Sequence, residues 1–303
     1  MNLTASAPQS PVTHRHAATK LFDLDVQRIQ DAYNKMGLDV SKYIGQEVSL
    51  WQCPATGYRF YYPFNIFGDA AFYENLQRQH AGYYPADKFE HQEALKQVKA
   101  GEHLLEVGCG PGHFLQFCGQ KGVKAVGLEF NDEAIAACKQ KGLEVHKFFI
   151  ADFAALHPAS FDVVCCFQVL EHIDTVKPFL NDCLAALKPG GRLMIAVPNS
   201  NPFLYKTDVY HAMNLPPHHA GLWNKLSFEK LPQYFPFTLE LLLIDTMKEP
   251  KTWFLSQKNW YLEHKPWLGK ALSLIPRPLY KMAVRIASPW IDGRNIFVVY
   301  RKN

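Results

Sequence analysis

The stretch LLEVGCGPGHFL, residues 104–115, places three glycines within five positions directly after an apolar run. The apolar run predicts a buried strand that ends at Gly108, and the residues after Gly112 have the spacing of a helix. Glycine lacks a Cβ, so the chain can turn sharply there and its backbone can approach a ligand closely. Because the first amides of the helix face the same space, the stretch predicts a ligand-binding loop at the end of a strand.

Strand-like and helix-like segments alternate on both sides of this loop. Strands that alternate with helices predict a mainly parallel α/β sheet that helices cover on both faces. The predicted strands, in chain order, lie at 103–108, 124–130, 143–150, 161–170, 192–198, 237–245 and 294–302.

The second predicted strand ends at Glu129, 21 residues after Gly108. A carboxylate at that place can accept hydrogen bonds from both hydroxyls of a ribose, which predicts a nucleoside cofactor. The third glycine comes one residue earlier than in the dinucleotide fingerprint, and Glu106 precedes the loop. An acid beside the loop disfavours a pyrophosphate and suits a cofactor with an ammonium group and a positive centre. A nicotinamide-dependent oxidoreductase is therefore the less favoured alternative.

Five motifs in order over about residues 100–200 resemble those of class I S-adenosylmethionine-dependent methyltransferases: LLEVGCGPGHFL, VGLEFN, ADF, FDVVCCFQVLEHI and LKPGGRLMIAVPN. The flanking segments are similar to a bacterial subgroup that acts on small molecules and glycan precursors. The resemblance implies a Rossmann-like, doubly wound, seven-stranded sheet whose last strand is antiparallel. It also implies S-adenosylmethionine as cofactor and methyl transfer as the reaction.

The resemblance implies roles for the residues of the glycine loop. Gly108, Gly110 and Gly112, with Cys109 among them, would shape the loop around the methionine moiety of the cofactor. Glu106 would lie near the ammonium group of that moiety, directly or through water.

The resemblance also implies contacts with the rest of the cofactor. Glu129 would bind the ribose hydroxyls, and Phe130 would lie against the adenine. Asp152 would take the adenine amino group, and Phe153 would support it through its backbone amide. Two residues at the end of the fourth strand would face the methyl donor: Gln168 and Leu170.

Three places offer a histidine: His172, the pair His218-His219, and His211. His172 and the pair follow predicted strands whose carboxyl ends line the site. If the acceptor is a hydroxyl, a base with a pKa near neutrality helps the transfer, and histidine has such a pKa. We predict that His218 and His219, which follow the rigid Pro216-Pro217 pair, position the substrate or act as the general base. For His172 both a catalytic role and a structural capping role stay open.

Glu171-His172 also resembles the metal site of quinone O-methyltransferases, which have an acid three residues before this glutamate. Gln168 occupies that position here. Two ligands remain where three are wanted, so the sequence predicts no metal ion. Tyr83 and Tyr84, further upstream, would either close over the cofactor or pack within a cap helix, and the sequence favours neither.

The 303 residues divide into three predicted regions. Residues 1–20 are polar and contain proline, which predicts a disordered lead. Residues 21–100 are rich in aromatics, and we expect a helical N-terminal cap with loops at the edge of the sheet. Residues 101–303 form the predicted methyltransferase domain, with a helical insertion at about 250–292 before the last strand.

Charge and cysteine content narrow the partners and the compartment. Residues 248–303 contain eleven Lys/Arg against three Asp/Glu. This basic segment also carries tryptophans, so it predicts peripheral contact with an anionic membrane through residues 250–292, or else a solvated basic face. Seven cysteines without a CxxC pair favour reduced thiols in the cytoplasm.

The acceptor is predicted only by class. Histidines on the acceptor side favour transfer to a hydroxyl oxygen of a small molecule, a glycan precursor or a lipid-linked precursor. Nucleic acid is not expected, because the overall charge is modest and FQVLEH stands where many nucleic-acid N-methyltransferases have an asparagine-proline-proline-aromatic motif. A non-catalytic protein that retains the fold is the remaining alternative.

Overall fold

Two β-sheets organise the chain in this computed structural model, which describes residues 7–45, 47–79, 88–201, 207–248 and 250–303. Within those ranges the strands are β1 (Thr19–Leu24), β2 (Val48–Gln52), β3 (Arg59–Tyr62), β4 (His103–Val107), β5 (Lys124–Leu128), β6 (Glu144–His146), β7 (Phe161–Phe167), β8 (Leu187–Pro198), β9 (Gly221–Leu222), β10 (Phe237–Thr246) and β11 (Asp292–Lys302). The helices are α1 (Val26–Asn34), α2 (Ala70–Gln79), α3 (Phe89–Gln97), α4 (His113–Gln120), α5 (Asp132–Gln140), α6 (Ile150–Leu156), α7 (Val176–Ala186), α8 (Lys225–Lys230), α9 (Pro250–His264), α10 (Pro266–Leu274) and α11 (Arg277–Ala287).

The larger sheet has seven strands in the order β10-β11-β8-β7-β4-β5-β6. Neighbouring strands from β4 to β8 pair in parallel, whereas β11 is antiparallel to both β8 and β10. The prediction of a Rossmann-like, doubly wound sheet with an antiparallel last strand is confirmed. The strand order changes direction at β4, so the cleft expected for this fold lies at the carboxyl ends of β4, β5 and β7.

Successive residues of the central strands enter two separate cores, one on each face of the sheet. Leu105 and Val164 pack into the core that α6 and α7 cover. Leu104 and Val163 pack into the core that α3, α4 and α5 cover. Because both faces are buried, these strands read as continuous apolar runs, which is why the sequence located them well.

A second sheet, which was not predicted from the sequence, is formed by three strands of the N-terminal cap and by β9. Its four antiparallel strands follow the order β1-β2-β3-β9. The expectation of helices and loops alone is therefore corrected: β2 and β3 form a hairpin, and α1, α2 and α3 complete the cap. Ser49, Leu50 and Trp51 pair with Tyr62, Tyr61 and Phe60 across this hairpin, and its aromatic content was a strand signal in the sequence.

The expected disordered lead is wrong for the part that the structure describes. Val12 is fully buried in the core beside α7, and Gln9 and Ala17 form an isolated antiparallel bridge. The backbone N–H of Lys177 in α7 donates to the carbonyl of Pro11 (3.1 Å). Composition predicted disorder because most of the segment is polar, but Val12, the buried residues around it and backbone hydrogen bonds hold it in place. Residues 1–6 lie outside the described ranges.

The insertion before the last strand is helical, as predicted, and consists of α9, α10 and α11. It packs through a small cluster of its own, in which Met247 and Val284 are buried. Among the residues that the structure describes, no helix is both long enough and apolar enough to cross a bilayer.

Candidate functional site

A cleft of about 1230 Å³ opens at the carboxyl ends of β4, β5 and β7. That volume exceeds what a single drug-sized ligand needs, so the cleft has room for two molecules side by side. The residues of the glycine loop line one part of the cleft, which we call the cofactor end. Three histidines line another part, which we call the acceptor end: His172, His218 and His219.

Backbone geometry explains the glycines of the loop. Gly108 has φ +73°, and a Cβ there would lie 2.5 Å from Cγ2 of Val169. Gly110 has φ +53° and also lines the cleft. Gly112 has φ +76° and precedes α4, where a Cβ would lie 2.5 Å from Leu143. Gly112 is not among the lining residues, so its role is to pack the helix against its neighbours, while Gly108 and Gly110 present backbone to the cleft.

Glu129 ties the loop after β5 to the glycine loop. Its Oε2 accepts a hydrogen bond from the backbone N–H of Gly110 (2.8 Å). Its Oε1 accepts from the N–H groups of Phe130 (2.7 Å) and Asn131 (2.8 Å). The carboxylate lines the cleft and is held in one place by three backbone donors. Such fixation suits a group that receives ribose hydroxyls, because little ordering remains to be done on binding.

Glu106 is the strongest electrostatic feature of the cofactor end. It lies within β4, only 3% exposed, and its Oε2 has no hydrogen-bond partner. Burial raises the pKa of this carboxyl well above its usual value, a shift that Lys88 opposes and Glu129 reinforces. A buried carboxylate without a partner is stabilised by a cation that can donate hydrogen bonds, so the site is suited to an ammonium group. Cys109 is buried beside it and also lines the cleft.

Two aromatic rings form an apolar wall beside Glu129. Phe130 is 42% exposed and lines the cleft, and its ring centroid lies 4.4 Å from that of Phe149. Phe149 is 65% exposed and was not predicted from the sequence. Exposed aromatic faces in a cleft are suited to a flat heterocycle.

Asp152 and Phe153 do not join the cleft. The predicted strand 143–150 ends at His146, so the chain leaves the sheet earlier and Phe149 occupies the place at the rim. Asp152 is exposed in the first turn of α6, and Phe153 is buried in the core against His157 and Phe161. A three-residue strand carries too short an apolar pattern for its end to be located from the sequence.

The end of β7 contributes Gln168 and Val169 to the cleft. Gln168 has φ +57°, and its Nε2 donates to Glu90 (3.3 Å) and to Asn295 (3.4 Å). Leu170, which the resemblance had placed toward the methyl donor, is fully buried in the core. The positive φ turns the chain at Gln168, so that Val169 rather than Leu170 lines the cleft.

At the acceptor end the structure brings together the three predicted histidines. The ring centroids lie 4.6 Å apart for His172 and His218, 4.9 Å for His172 and His219, and 4.6 Å for His218 and His219. Nδ1 of His172 lies 2.6 Å from the carbonyl of His218, and Nδ1 of His218 lies 3.0 Å from the carbonyl of Met213. A carbonyl can only accept, so each Nδ1 carries a proton, and in the neutral form of the ring Nε2 has the lone pair.

Burial keeps the imidazoles of His172 and His219 neutral. Desolvation lowers the pKa of His172 to about 4, although hydrogen bonds to the backbone carbonyls of His218 and Gln168 oppose the shift. Desolvation, reinforced by the neighbouring histidines, lowers the pKa of His219 well below its usual value. Glu171 lies beside them with its Oε1 3.8 Å from Nε2 of His172, and burial raises the pKa of its carboxyl to about 8.

The cap positions the loop that carries His218 and His219. The hydroxyl of Tyr33 donates to the carbonyl of Leu215 (2.8 Å), and that of Tyr61 donates to the carbonyl of Asn214 (2.9 Å). The hydroxyl of Tyr73 in α2 donates to the carbonyl of His218 (3.0 Å). Tyr73 lines the cleft and was missed, because nothing in its local sequence distinguishes it from the other cap aromatics. Tyr83 and Tyr84 lie outside the described residues.

Comparison with known proteins identifies the class that this fold and cleft define. A family described as "Methyltransferase domain" matches residues 76–243, and the chain belongs to that family. The prediction of an S-adenosylmethionine-dependent methyltransferase family from the five motifs is thereby confirmed.

Individual relatives match the central domain. The chain is 32% identical over 108 residues to a ubiquinone biosynthesis O-methyltransferase of Sodalis glossinidius, covering 34% of this chain and 43% of that protein. It is 35% identical over 112 residues to the protein of the same name from Saccharophagus degradans, covering 35% and 48%. The chain spans about half the length of the curated relatives it matches. An S-adenosylmethionine-dependent methyltransferase structure from Mesorhizobium loti superposes with a TM-score of 0.48 at 14% identity, covering 72% of this chain and all of that one.

Proposed function

We propose that this chain transfers a methyl group from S-adenosylmethionine to a hydroxyl oxygen of a small-molecule acceptor. The observation that carries the proposal is the pairing, in one cleft, of the buried carboxyl of Glu106, whose Oε2 has no hydrogen-bond partner, with a cluster of three histidines. The first is suited to the ammonium group of the donor. The second is suited to a hydroxyl that must lose its proton.

The residues present at the cofactor end fit S-adenosylmethionine. Gly108 and Gly110 expose their backbone to the cleft. A side chain at Gly108 is excluded, because its Cβ would collide with Val169. Glu106 would hold the ammonium, Glu129 the ribose hydroxyls, and the Phe130–Phe149 pair the adenine. The bound cofactor supplies a methyl group already activated by its sulfonium, so the protein has to align the acceptor and exclude water.

The residues at the acceptor end would orient the acceptor hydroxyl and take up its proton. A neutral imidazole whose Nδ1–H is engaged by a carbonyl presents Nε2 as the proton acceptor, which is the tautomer held at His172 and His218. The relatives named as ubiquinone biosynthesis O-methyltransferases support a hydroxyl acceptor. As acceptor we propose more specifically a glycan precursor or a lipid-linked precursor, since the cleft is large enough for either.

Calorimetry with S-adenosylhomocysteine tests the cofactor half of the proposal. We expect micromolar binding to the wild-type chain and a loss of about 100-fold, near 2.7 kcal/mol, for Glu129→Ala. NAD serves as the matched control ligand and should not bind. If NAD binds and S-adenosylhomocysteine does not, the oxidoreductase alternative gains support. If neither ligand binds, a non-catalytic protein that retains the fold is favoured.

We further propose that the insertion contacts an anionic membrane surface. Leu279, Met282 and Ile286 share one face of α11 at spacings of three and four residues, and each is more than half exposed. Trp267, Leu274 and Trp290 extend the exposed apolar surface, at 70%, 83% and 81% exposure. Five exposed Lys and Arg residues accompany it: Lys265, Lys270, Arg277, Lys281 and Arg285. An apolar face beside basic side chains fits the interface of an anionic bilayer.

Vesicle co-sedimentation tests the membrane proposal. We expect binding to vesicles with anionic lipid at low salt, weakened by high salt and by the Ile286→Glu substitution. Leu156→Glu is the matched control, because Leu156 on α6 is 65% exposed but lies outside the insertion. Equal sedimentation of both variants, or none with the wild type, would count against the proposal.

A cytoplasmic location is also part of the proposed function. All seven cysteines lie within the described residues, where they are buried and unpaired. Buried free thiols are typical of a reducing compartment and support this location.

A further inference from the structure

We propose that His172, His218 and His219 bind a divalent transition-metal ion at the acceptor end of the cleft. No metal was predicted from the sequence, because only the possible ligands close to Glu171 in the sequence were compared with a known metal site. The fold supplies a different set, in which two histidines come from a loop 46 and 47 residues further along the chain.

The geometry of the cluster is that of a preformed ligand set. One ring nitrogen from each histidine lies within 4.8 Å of those of the other two. In a tetrahedral zinc site with Zn–N bonds of about 2.0–2.1 Å, ligand nitrogens stand about 3.4 Å apart, so the rings need to close by roughly an ångström.

Backbone carbonyls orient two of the rings as metal ligands are usually oriented. His172 donates its Nδ1–H to the carbonyl of His218, and His218 donates its Nδ1–H to the carbonyl of Met213. Such hydrogen bonds fix the tautomer and direct Nε2 as the ligand atom. Tyr73 secures the arrangement, since its hydroxyl donates to the carbonyl of His218 as well.

A second and independent feature is a buried carboxyl group beside the cluster. Glu171 is 2% exposed, its Oε1 lies 3.8 Å from Nε2 of His172, and its Oε2 has no hydrogen-bond partner. A buried carboxylate with an unpartnered oxygen compensates the charge of a divalent ion. Gln168 is not part of this set, because its side-chain amide already donates to Glu90 and Asn295.

The donor set indicates the class of metal and leaves room for the acceptor. Imidazole nitrogens suit Zn²⁺, Fe²⁺, Ni²⁺ or Cu²⁺ better than Mg²⁺ or Ca²⁺. Three protein ligands leave at least one coordination position free, as in catalytic zinc sites. The role of the ion rests on the proposed function: it would bind the acceptor oxygen and lower the pKa of that hydroxyl, whose proton would pass to water. The histidines would then hold the ion instead of taking the proton themselves.

Metal titration tests the site without relying on turnover. The full chain, freed of any affinity tag and treated with chelator, is titrated with Zn²⁺ by calorimetry and with Co²⁺ by visible absorption. We expect one ion per chain, and a cobalt spectrum with the intense bands of four-coordinate nitrogen ligation. His219→Gln and His218→Gln should each weaken Zn²⁺ binding by about 100-fold or more. His146→Gln is the matched control and should bind as the wild type, because His146 lies on β6 outside the cleft lining.

The outcomes separate this inference from the proposed function. Each sample is also titrated with S-adenosylhomocysteine and melted, so that a misfolded variant is recognised by the loss of both. Intact S-adenosylhomocysteine binding with no Zn²⁺ binding in the wild type would overturn the metal site and leave the methyltransferase proposal standing. Equal Zn²⁺ affinity in the wild type and both cluster variants would overturn it too, because the ion would then bind elsewhere.

Discussion

The two ends of the cleft are built in different ways. The cofactor end comes mainly from one short stretch of chain, with Glu106, Gly108 and Gly110 on one strand-loop unit and Glu129 on the next. The acceptor end is assembled from α2, the turn Leu170–His172 and the loop that carries His218 and His219. The cofactor end is therefore fixed by backbone conformation, whereas the acceptor end depends on side chains that meet only when the cap docks.

This difference matches what each end must do. A cofactor shared by many enzymes needs the same binding site in each of them. Backbone amides in a glycine-rich loop form such a site independently of the surrounding side chains. An acceptor differs between enzymes, so its site is formed by segments that can change without disturbing the central sheet.

The substitution expected to have the largest effect on the cofactor end adds a methyl group to the glycine loop. Gly108→Ala places a Cβ 2.5 Å from Val169 at φ +73°. We expect the free energy of unfolding to fall by about 3 kcal/mol, from left-handed strain and overpacking together. S-adenosylhomocysteine binding should fall below detection in calorimetry.

Gly142→Ala is the control for Gly108→Ala. Gly142 has φ +69°, but a Cβ there meets nothing within 4 Å. It should cost only the backbone strain, about 1 kcal/mol, and leave S-adenosylhomocysteine affinity unchanged. Similar losses in the two variants, measured by urea denaturation, would contradict the claim that close approach at Gly108 fixes the cofactor end.

Glu106→Gln separates stability from binding at the same end. The pKa of this buried carboxyl is raised above its usual value of 4.5, so its contribution to stability is full below pH 4.5. That contribution is lost as the pH rises toward the raised pKa, because the unfolded chain ionises first. The amide variant avoids the loss. Its free energy of unfolding, relative to wild type, should increase with pH above 4.5 by up to about 1.4 kcal/mol per pH unit.

The same substitution should weaken cofactor binding. If the ammonium of the ligand needs the ionised carboxylate, S-adenosylhomocysteine affinity falls by about 30-fold, near 2 kcal/mol. Wild-type binding should also release a proton, which calorimetry in buffers of different ionisation enthalpy measures. No proton release and an unchanged affinity in Glu106→Gln would show that the ammonium binds elsewhere.

Tyr73→Phe is a smaller test, directed at the acceptor end. It removes the hydroxyl that donates to the carbonyl of His218 and contacts Nδ1 of His172 at 3.4 Å. We expect a loss of about 1 kcal/mol in the free energy of unfolding and no change in S-adenosylhomocysteine affinity. A change in S-adenosylhomocysteine affinity as large as the change in stability would break the division into two independent ends.

The sequence was sufficient for features that a few neighbouring residues determine. The glycine loop, Glu129 and the parallel strands, apart from the end of β6, were located, because an apolar run ending in glycine carries its own signal. The histidines were named as candidate site residues, but the contact of their rings with one another was not predicted. That contact depends on a distant loop, which hydrogen bonds from Tyr33 and Tyr61 hold in place. The hairpin of β2 and β3 was missed because its aromatics also suit packed helices. Val12 was missed because few residues around it are apolar, and buried neighbours such as Ser10 and Thr13 are polar.

The smallest expected change in affinity concerns the adenine contact, where the prediction from the sequence differs from the structure. The resemblance assigned an adenine contact to Asp152, whereas Phe149 is the residue that lines the cleft and packs against Phe130. We expect Phe149→Ala to weaken S-adenosylhomocysteine binding by about 5-fold, near 1 kcal/mol, through lost ring contact. Asp152→Ala should change it by less than about 2-fold, because an exposed carboxylate outside the cleft has little to lose. The reverse order in calorimetry would mean that α6 moves toward the cofactor on binding, and the cofactor end would then be less rigid than its backbone geometry indicates.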